Sequence, residues 1–267
     1  MMSQASSLEK QIIPLPSQSK FAPSRFLSHL SVLTSLGLGS GALVYTSIPS
    51  HAQAQTLWTV ATNFCEGPTR DGSINGRGSC SFPSGNRYEG ELRRGRRQGK
   101  GVFVFANGTR CEGDFRKDLL NGKAACIFPN GNRYEGQFRD GRREGRGIYL
   151  FADGTRCEGE FRNDLLNGTG TCIFPSGNRY VGEFQNGRKQ GKGTFTFANG
   201  TRCEGDFRND VLNGVGVCLF PSGNRYEGEF LNGRQHGRGN YTFANGQRIE
   251  GIWRDGRFVN GQNRGSR

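Results

Sequence analysis

The chain has 267 residues, a length that suits one or two domains. Its formal net charge is +13 and its pI about 9.8, which directs attention to anionic partners. It has three histidines, only His236 of them in the patterned part of the chain. With no Ser-His-Asp set, Walker loop or metal-ligand cluster besides, nothing in it points to common catalytic or metal chemistry.

Residues 1–25 are polar, and residues 26–48 (FLSHLSVLTSLGLGSGALVYTSI) are apolar with no Asp, Glu, Lys or Arg. Ala52-Gln53-Ala54 follows, the small-x-small pattern of a secretory cleavage site. Residues 1–54 therefore read as a signal peptide cleaved after Ala54. The alternative is an uncleaved membrane anchor, since 26–48 is long enough to span. Both readings export the rest of the chain to the periplasm or the extracellular space. Residues 55–64 form a lead-in whose Trp58 and Phe64 are placed to cover a sheet edge.

From residue 65 one phrase of 23 residues recurs without a slip: Cys65, Tyr88, Cys111, Tyr134, Cys157, Tyr180, Cys203 and Tyr226 open eight copies, and Ile249 opens a stub. Such a period marks a repeat in which no unit buries its face alone. Within a copy, numbered 1 to 23, positions 1, 3 and 5 are Tyr/Cys, Gly and mostly Phe, and position 2 and position 4 are mostly acidic. Positions 14, 16 and 18 alternate in the same way. This is strand alternation with one buried face, so each copy is a β-hairpin with a six-residue polar loop between its strands. Positions 19–21 (Ala-Asn-Gly, Pro-Ser-Gly and the like) suit a three-residue turn closed by a left-handed glycine.

The fold expected is all-β: an elongated single-layer antiparallel meander of seventeen strands over residues 65–261, with 262–267 a disordered tail. In its register position 1 faces 16, 3 faces 14, and acidic position 4 faces basic position 13, as in Glu91 with Lys100. Facing glycines leave room for neighbouring rings. Pro68 and Thr69 stand at positions 4 and 5 of the first copy, which suits a capping edge.

Eight cysteines hold positions 1 and 16 of alternate copies, where the other copies have two aromatic residues. Facing thiols on paired strands predict four disulfides: Cys65 with Cys80, Cys111 with Cys126, Cys157 with Cys172 and Cys203 with Cys218. Free packed thiols are the competing reading. Zinc fits less well, since its ligand pairs usually lie closer and include His.

The recurring Y-E-G-E-F, N-G-R-x-x-G-x-G and P-x-G-x-R-Y elements resemble the MORN (membrane occupation and recognition nexus) repeat over residues 65 to about 256. The resemblance implies an elongated β-hairpin sheet and a non-catalytic scaffold for proteins or membranes, with acidic phospholipids bound in some members. It implies no cofactor and no small-molecule substrate.

The interaction residues expected lie in the hairpin loops along one edge. Arg93, Arg94, Arg96, Arg97, Arg139, Arg142, Arg143, Arg188, Lys189 and Arg234 are candidates to meet anions or lipid. Leu119, Leu120, Leu165, Leu166, Val211 and Leu212 are candidates for apolar contact. The plain alternatives are that the cations keep the sheet soluble and that the leucines fold back over its face. Nucleic acid is another anion to consider at this pI, but export argues against it. The function expected is an exported, non-enzymatic scaffold for a protein or an anionic membrane or envelope surface. Its alternatives are a purely protein-binding module without lipid contact and a weak polyanion binder.

Overall fold

The computed structural model describes residues 63–264. The signal or anchor segment, Trp58 and most of the lead-in lie outside them. The described residues contain strands and turns and no helix.

The chain begins with β1 (Phe64–Glu66), the short pair β2 (Thr69–Arg70) and β3 (Ser73–Ile74), then β4 (Gly76–Ser81), β5 (Arg87–Arg93) and β6 (Arg96–Val104). It repeats the β5–β6 hairpin up to β19 (Arg248–Arg254) and β20 (Arg257–Arg264). β1 and then β4 to β20 pair in chain order as one open antiparallel sheet of 18 strands. Pro68 interrupts the first hairpin, so β2 and β3 pair with each other outside the main sheet. The expected count was one strand short because the stub after Ile249 forms a whole hairpin. Arg248 pairs with Arg264, which carries β20 beyond the expected end at 261. Phe64 is exposed on β1.

The repeat register holds throughout. Tyr88 faces Phe103, Gly90 faces Gly101, and Phe103 in turn faces Cys111 of the next copy. Connections between copies are closed by a bond from the Gly108 N–H to the Phe105 carbonyl and by its equivalents. Gly108, at φ 87°, is left-handed as the three-residue turn requires.

Two details of the expected hairpin are corrected. The loop has two residues, not six. Positions 7 and 8 both lie at positive φ, as in Asn186 (51°) and Gly187 (77°), which is the type I′ turn that suits the twist of paired strands. The rest of the supposed loop is strand containing a bulge. Between Gly90 and Leu92 there is one residue, Glu91, while the partner strand advances from Arg97 to Gly101. The carboxylate of position 4 fills that bulge: Glu91 Oε1 accepts from the Lys100 backbone N–H at 3.1 Å, and Glu183 and Glu229 do the same. The Lys100 ammonium therefore does not pair with Glu91. It reaches across to Asp114 of the next copy at 2.7 Å, as Lys192 reaches Asp206. The acid–base ladder thus bridges copies rather than closing hairpins.

All four predicted disulfides are formed, between facing residues whose Cα atoms stand 4.0–4.1 Å apart. Their half-cystines, the rings at positions 1, 5 and 16, and the fully buried Trp253 make up the core on one face of the sheet.

In the Tyr copies the position 1 ring lies over the position 14 glycine. A Cβ on Gly193 would sit 2.4 Å from the Tyr180 hydroxyl. The hydroxyl donates to the carbonyl of position 4, from Tyr180 to Glu183 at 3.0 Å. In the Cys copies Leu166 and Leu212, from position 10, occupy the space over the paired glycines instead.

Burial pushes the Tyr88 phenol up to about 12, against weaker opposing help from Arg97, and pushes Tyr134, Tyr180 and Tyr226 up as well. A phenol whose folded pKa is raised lends stability that is complete below its unfolded value, ~10, and that is lost as pH rises through the folded value. The four phenolate signals should therefore appear together with unfolding above pH ~10 in an absorbance titration. Their appearance near the ordinary value, with the circular dichroism of the sheet unchanged, would contradict this burial.

Candidate interaction surfaces

The two-residue turn decides which loop residues reach solvent. Because the turn is short, position 10 pairs with position 5 on the core face, as Arg97 with Leu92 and Lys189 with Phe184. Positions 6 and 9 fall on the opposite face.

Arg93, Arg94, Arg96, Arg139, Arg142, Arg188 and Arg234 are accordingly exposed at the hairpin tips. Arg97, Arg143 and Lys189 are not available to an external anion, which corrects the expected set. The Arg143 side chain is 7% exposed, and Lys189 is equally enclosed. The leucines divide in the same way. Leu120, Leu166 and Leu212 are buried, so the fold-back reading holds for them. Leu119 remains exposed, and Leu165 and Val211 are half-buried.

The inward cations occupy wells walled by aromatic rings. The Arg97 guanidinium carbon lies 4.4 Å from the Phe103 ring centre. The Arg143 carbon lies 5.1 Å from Tyr149, and Lys189 Nζ lies 5.6 Å from both Phe174 and Phe195. Ring faces attract cations in this geometry.

Each well is closed by an aspartate from the tip of the next copy. Asp118, Asp164 and Asp210 each accept the backbone N–H of the cationic residue at 2.9 Å. The same Oδ1 atoms lie 3.5, 3.3 and 4.0 Å from the Arg97, Arg143 and Lys189 side-chain nitrogens. Burial lowers the Lys189 pKa, and Asp210 raises it part of the way back; burial and Asp118 do the same to Arg97.

The wells have a signature in the sequence. Position 8 is Asp wherever position 10 of the preceding copy is Arg or Lys. It is Gly after Ile74, Leu120, Leu166, Leu212 and Gln235, namely Gly95, Gly141, Gly187, Gly233 and Gly256. The correlation has a physical meaning only when position 10 lies on the core face, beside the tip of the next copy. The repeat therefore alternates two full sets: Tyr, aromatic, a polar residue and (except after Gln235) the next copy's Asp, against Cys, Cys, Leu (Ile74 in the first copy) and the next copy's Gly.

The face opposite the core is not uniformly polar. Position 23 sets an arginine on alternate strands, often paired with the acid two residues on, as Arg110 with Glu112 at 2.9 Å and Arg202 with Glu204 at 2.8 Å. Between these arginines, position 17 places Ile127, Leu150, Ile173 and Leu219, all exposed large hydrophobics. A shallow groove of about 1710 Å³ follows this face from β4 to β13 (Arg179–Gln185). Position 17 was the available signal, since an aliphatic residue one step out of phase with the core row must point outward.

Cross-linked hairpins stacked in chain order, with an exposed aliphatic–arginine face and basic tips, define a repeat scaffold for interaction with a protein or a membrane. The MORN repeat family matches residues 70–87, 88–110, 111–133, 134–156, 157–179, 180–202, 203–225 and 226–248, and the chain belongs to that family.

A search of curated protein sequences finds no match. Among solved structures the chain is similar to the TCP domain of Drosophila melanogaster SAS-4 in complex with a proline-rich motif of Ana2. The identity is 16%, the match covers 71% of this chain and 99% of that one, and the TM-score is 0.40. It is also similar to the wild-type TCP10 domain of Danio rerio CPAP, at 16% identity, 70% and 88% coverage and TM-score 0.41. The CPAP G-box domain gives 13% identity, 71% and 97% coverage and TM-score 0.45.

Proposed function

We propose that the protein is an exported, non-enzymatic scaffold that engages another protein or an anionic membrane or envelope surface through its basic hairpin tips. The observation that carries this reading is a division among the cations of the loops. Those turned inward each have a dedicated aspartate, whereas Arg93, Arg94, Arg96, Arg139, Arg142, Arg188 and Arg234 stand at the tips in solvent. Export is supported by the leader-like residues 1–54 and by the four disulfides, which persist in oxidising compartments. The exposed Ile127, Leu150, Ile173 and Leu219 favour a protein as the partner of the open face.

Photocrosslinking residues placed at 119, 142 and 188 in exporting cells test this reading. Expected are adducts with a protein or a lipid from these tips, in a chain whose cysteines resist alkylation until reduced. Alkylated cysteines in the native chain, or no adduct from any tip, would overturn it.

A further inference from the structure

We propose that two adjacent tips, carrying Arg93, Arg94, Arg96, Arg116 and Lys117, form a preorganised docking site for an acidic segment of another protein. The inference rests on the loop-edge reading above and assigns its partner chemistry and its place.

Position 7 is left-handed in every described tip, with φ between 48° and 52°. Seven tips place Asn or Asp there, the residues that tolerate this conformation best. Only Arg94 (φ 50°) and Lys117 (φ 50°) depart, and they are on neighbouring hairpins. A second concession lies at the same place. Arg93 faces Arg96 across the turn, and like charges directly opposite are destabilising. Arg139 also faces Arg142, but there the intervening position 7 is Asp140; at the Arg93 tip it is another arginine. Side chains that strain the fold while reaching into solvent point to a role outside the fold.

The site is held in place before anything binds. The Arg94 N–H donates to Asn75 Oδ1 at 3.0 Å, and the Gly95 N–H donates to the Ile74 carbonyl at 3.0 Å. The Asp118 N–H donates to the Arg97 carbonyl at 3.1 Å, tying the second tip to the first. Asp118, the only acid on the two tips, is committed to Arg97.

Neighbouring hairpins are ~10 Å apart, which three or four extended residues span. Every described tip carries an exposed arginine, but the other tips carry one or two each, whereas these two neighbours carry five cations between them, a local density that suits a short acidic chain more than a flat bilayer. Arginine forks match carboxylates bidentately, and a short acidic stretch fits that spacing.

The test uses the exported chain, a fluorescent oligoglutamate peptide, and vesicles of phosphatidylserine in phosphatidylcholine. Arg94→Asn with Lys117→Asn restores the residue type of the other tips, so the variant folds. Its Tm is expected to rise by a few degrees, while peptide affinity at low salt falls about tenfold. Arg254→Asn, on the last hairpin and outside the set of tip arginines named above, is expected to leave peptide affinity unchanged. Unchanged affinity in the double variant, a lowered Tm, or no peptide binding by the parent chain would overturn the proposal. Binding of the parent to vesicles but not to peptide would overturn it too, by assigning the tips to a membrane. Continued photocrosslinking from positions 142 and 188 in those cases would show that the broader scaffold reading survives.

Discussion

Replacing Cys157 with Tyr and Cys172 with Phe should lower stability by about 4–6 kcal/mol, the sum of a lost staple at ~3 and an overpacked core at ~1–3. The rings at positions 1 and 16 of the Tyr copies are not interchangeable with cystine by themselves. Leu166, fully buried, covers Gly159 and Gly170, in the space that the Tyr180 ring takes over Gly193 in the next copy. A Tyr ring brought into the Cys157 hairpin meets that leucine. Adding Leu166→Lys and Gly187→Asp completes the set seen at Tyr180, Phe195, Lys189 and Asp210. Gly187 at φ 77° and Asp210 at φ 75° share one backbone conformation, so the aspartate fits without rearrangement. The four-position variant should recover the ~1–3 kcal/mol of overpacking and stay about 3 kcal/mol below the parent, because the staple is still missing. Denaturant midpoints decide the matter: equal stability of the two-position and four-position variants would show that the wells and the disulfides are independent.

The second large effect concerns the Lys189 well. Asp210→Gly installs the residue found at position 8 of other tips, so it removes the carboxylate without straining the turn. It leaves a buried ammonium unpaired and should cost about 3–5 kcal/mol. Combining it with Lys189→Met removes both charges and should lie within ~1–2 kcal/mol of the parent, because replacing a whole buried pair is often neutral. The single variant also acquires a pH dependence. Burial already lowers the Lys189 pKa, and loss of Asp210 lowers it further. Between that folded value and the unfolded value of ~10.4 the unfolded chain binds the extra proton, so stability rises with pH. The deficit of Asp210→Gly should therefore shrink from neutral pH toward ~pH 9, and the double variant should show no such trend. A single variant as stable as the double at pH 7 would mean that Lys189 reaches solvent.

What could be read without coordinates follows from periodicity. The hairpin repeat, the faces of Tyr, Phe and Cys and the four cystine pairs all rest on period-2 alternation and a fixed phase, and the structure keeps both. The stretch between the strands reads as solvated loop because Arg97, Arg143 and Lys189 are charged, yet aromatic rings and a paired aspartate let these cations lie on the core face. Only the two-residue turn shows that these residues are in phase with Leu120, Leu166 and Leu212, which are core. Asn186-Gly187 and Asp140-Gly141 are dipeptides typical of that turn, and they were on view in the sequence. The bulge filled by Glu91 was not legible, because an acid near a lysine reads as an ion pair whether it meets the ammonium or the backbone N–H. The outward aliphatic row at Ile127, Leu150, Ile173 and Leu219 is legible in the sequence, since each stands one step out of phase with the core ring or half-cystine at position 16.

The alternation of two side-chain sets on one face is tested most directly by peptide mapping of the protein under non-reducing conditions. Each cysteine should be found joined to the one 15 residues away, Cys111 to Cys126 and Cys157 to Cys172. A bond between hairpins, such as Cys126 to Cys157, or free thiols at any of these positions, would contradict the register on which the wells, the tips and the open face all depend.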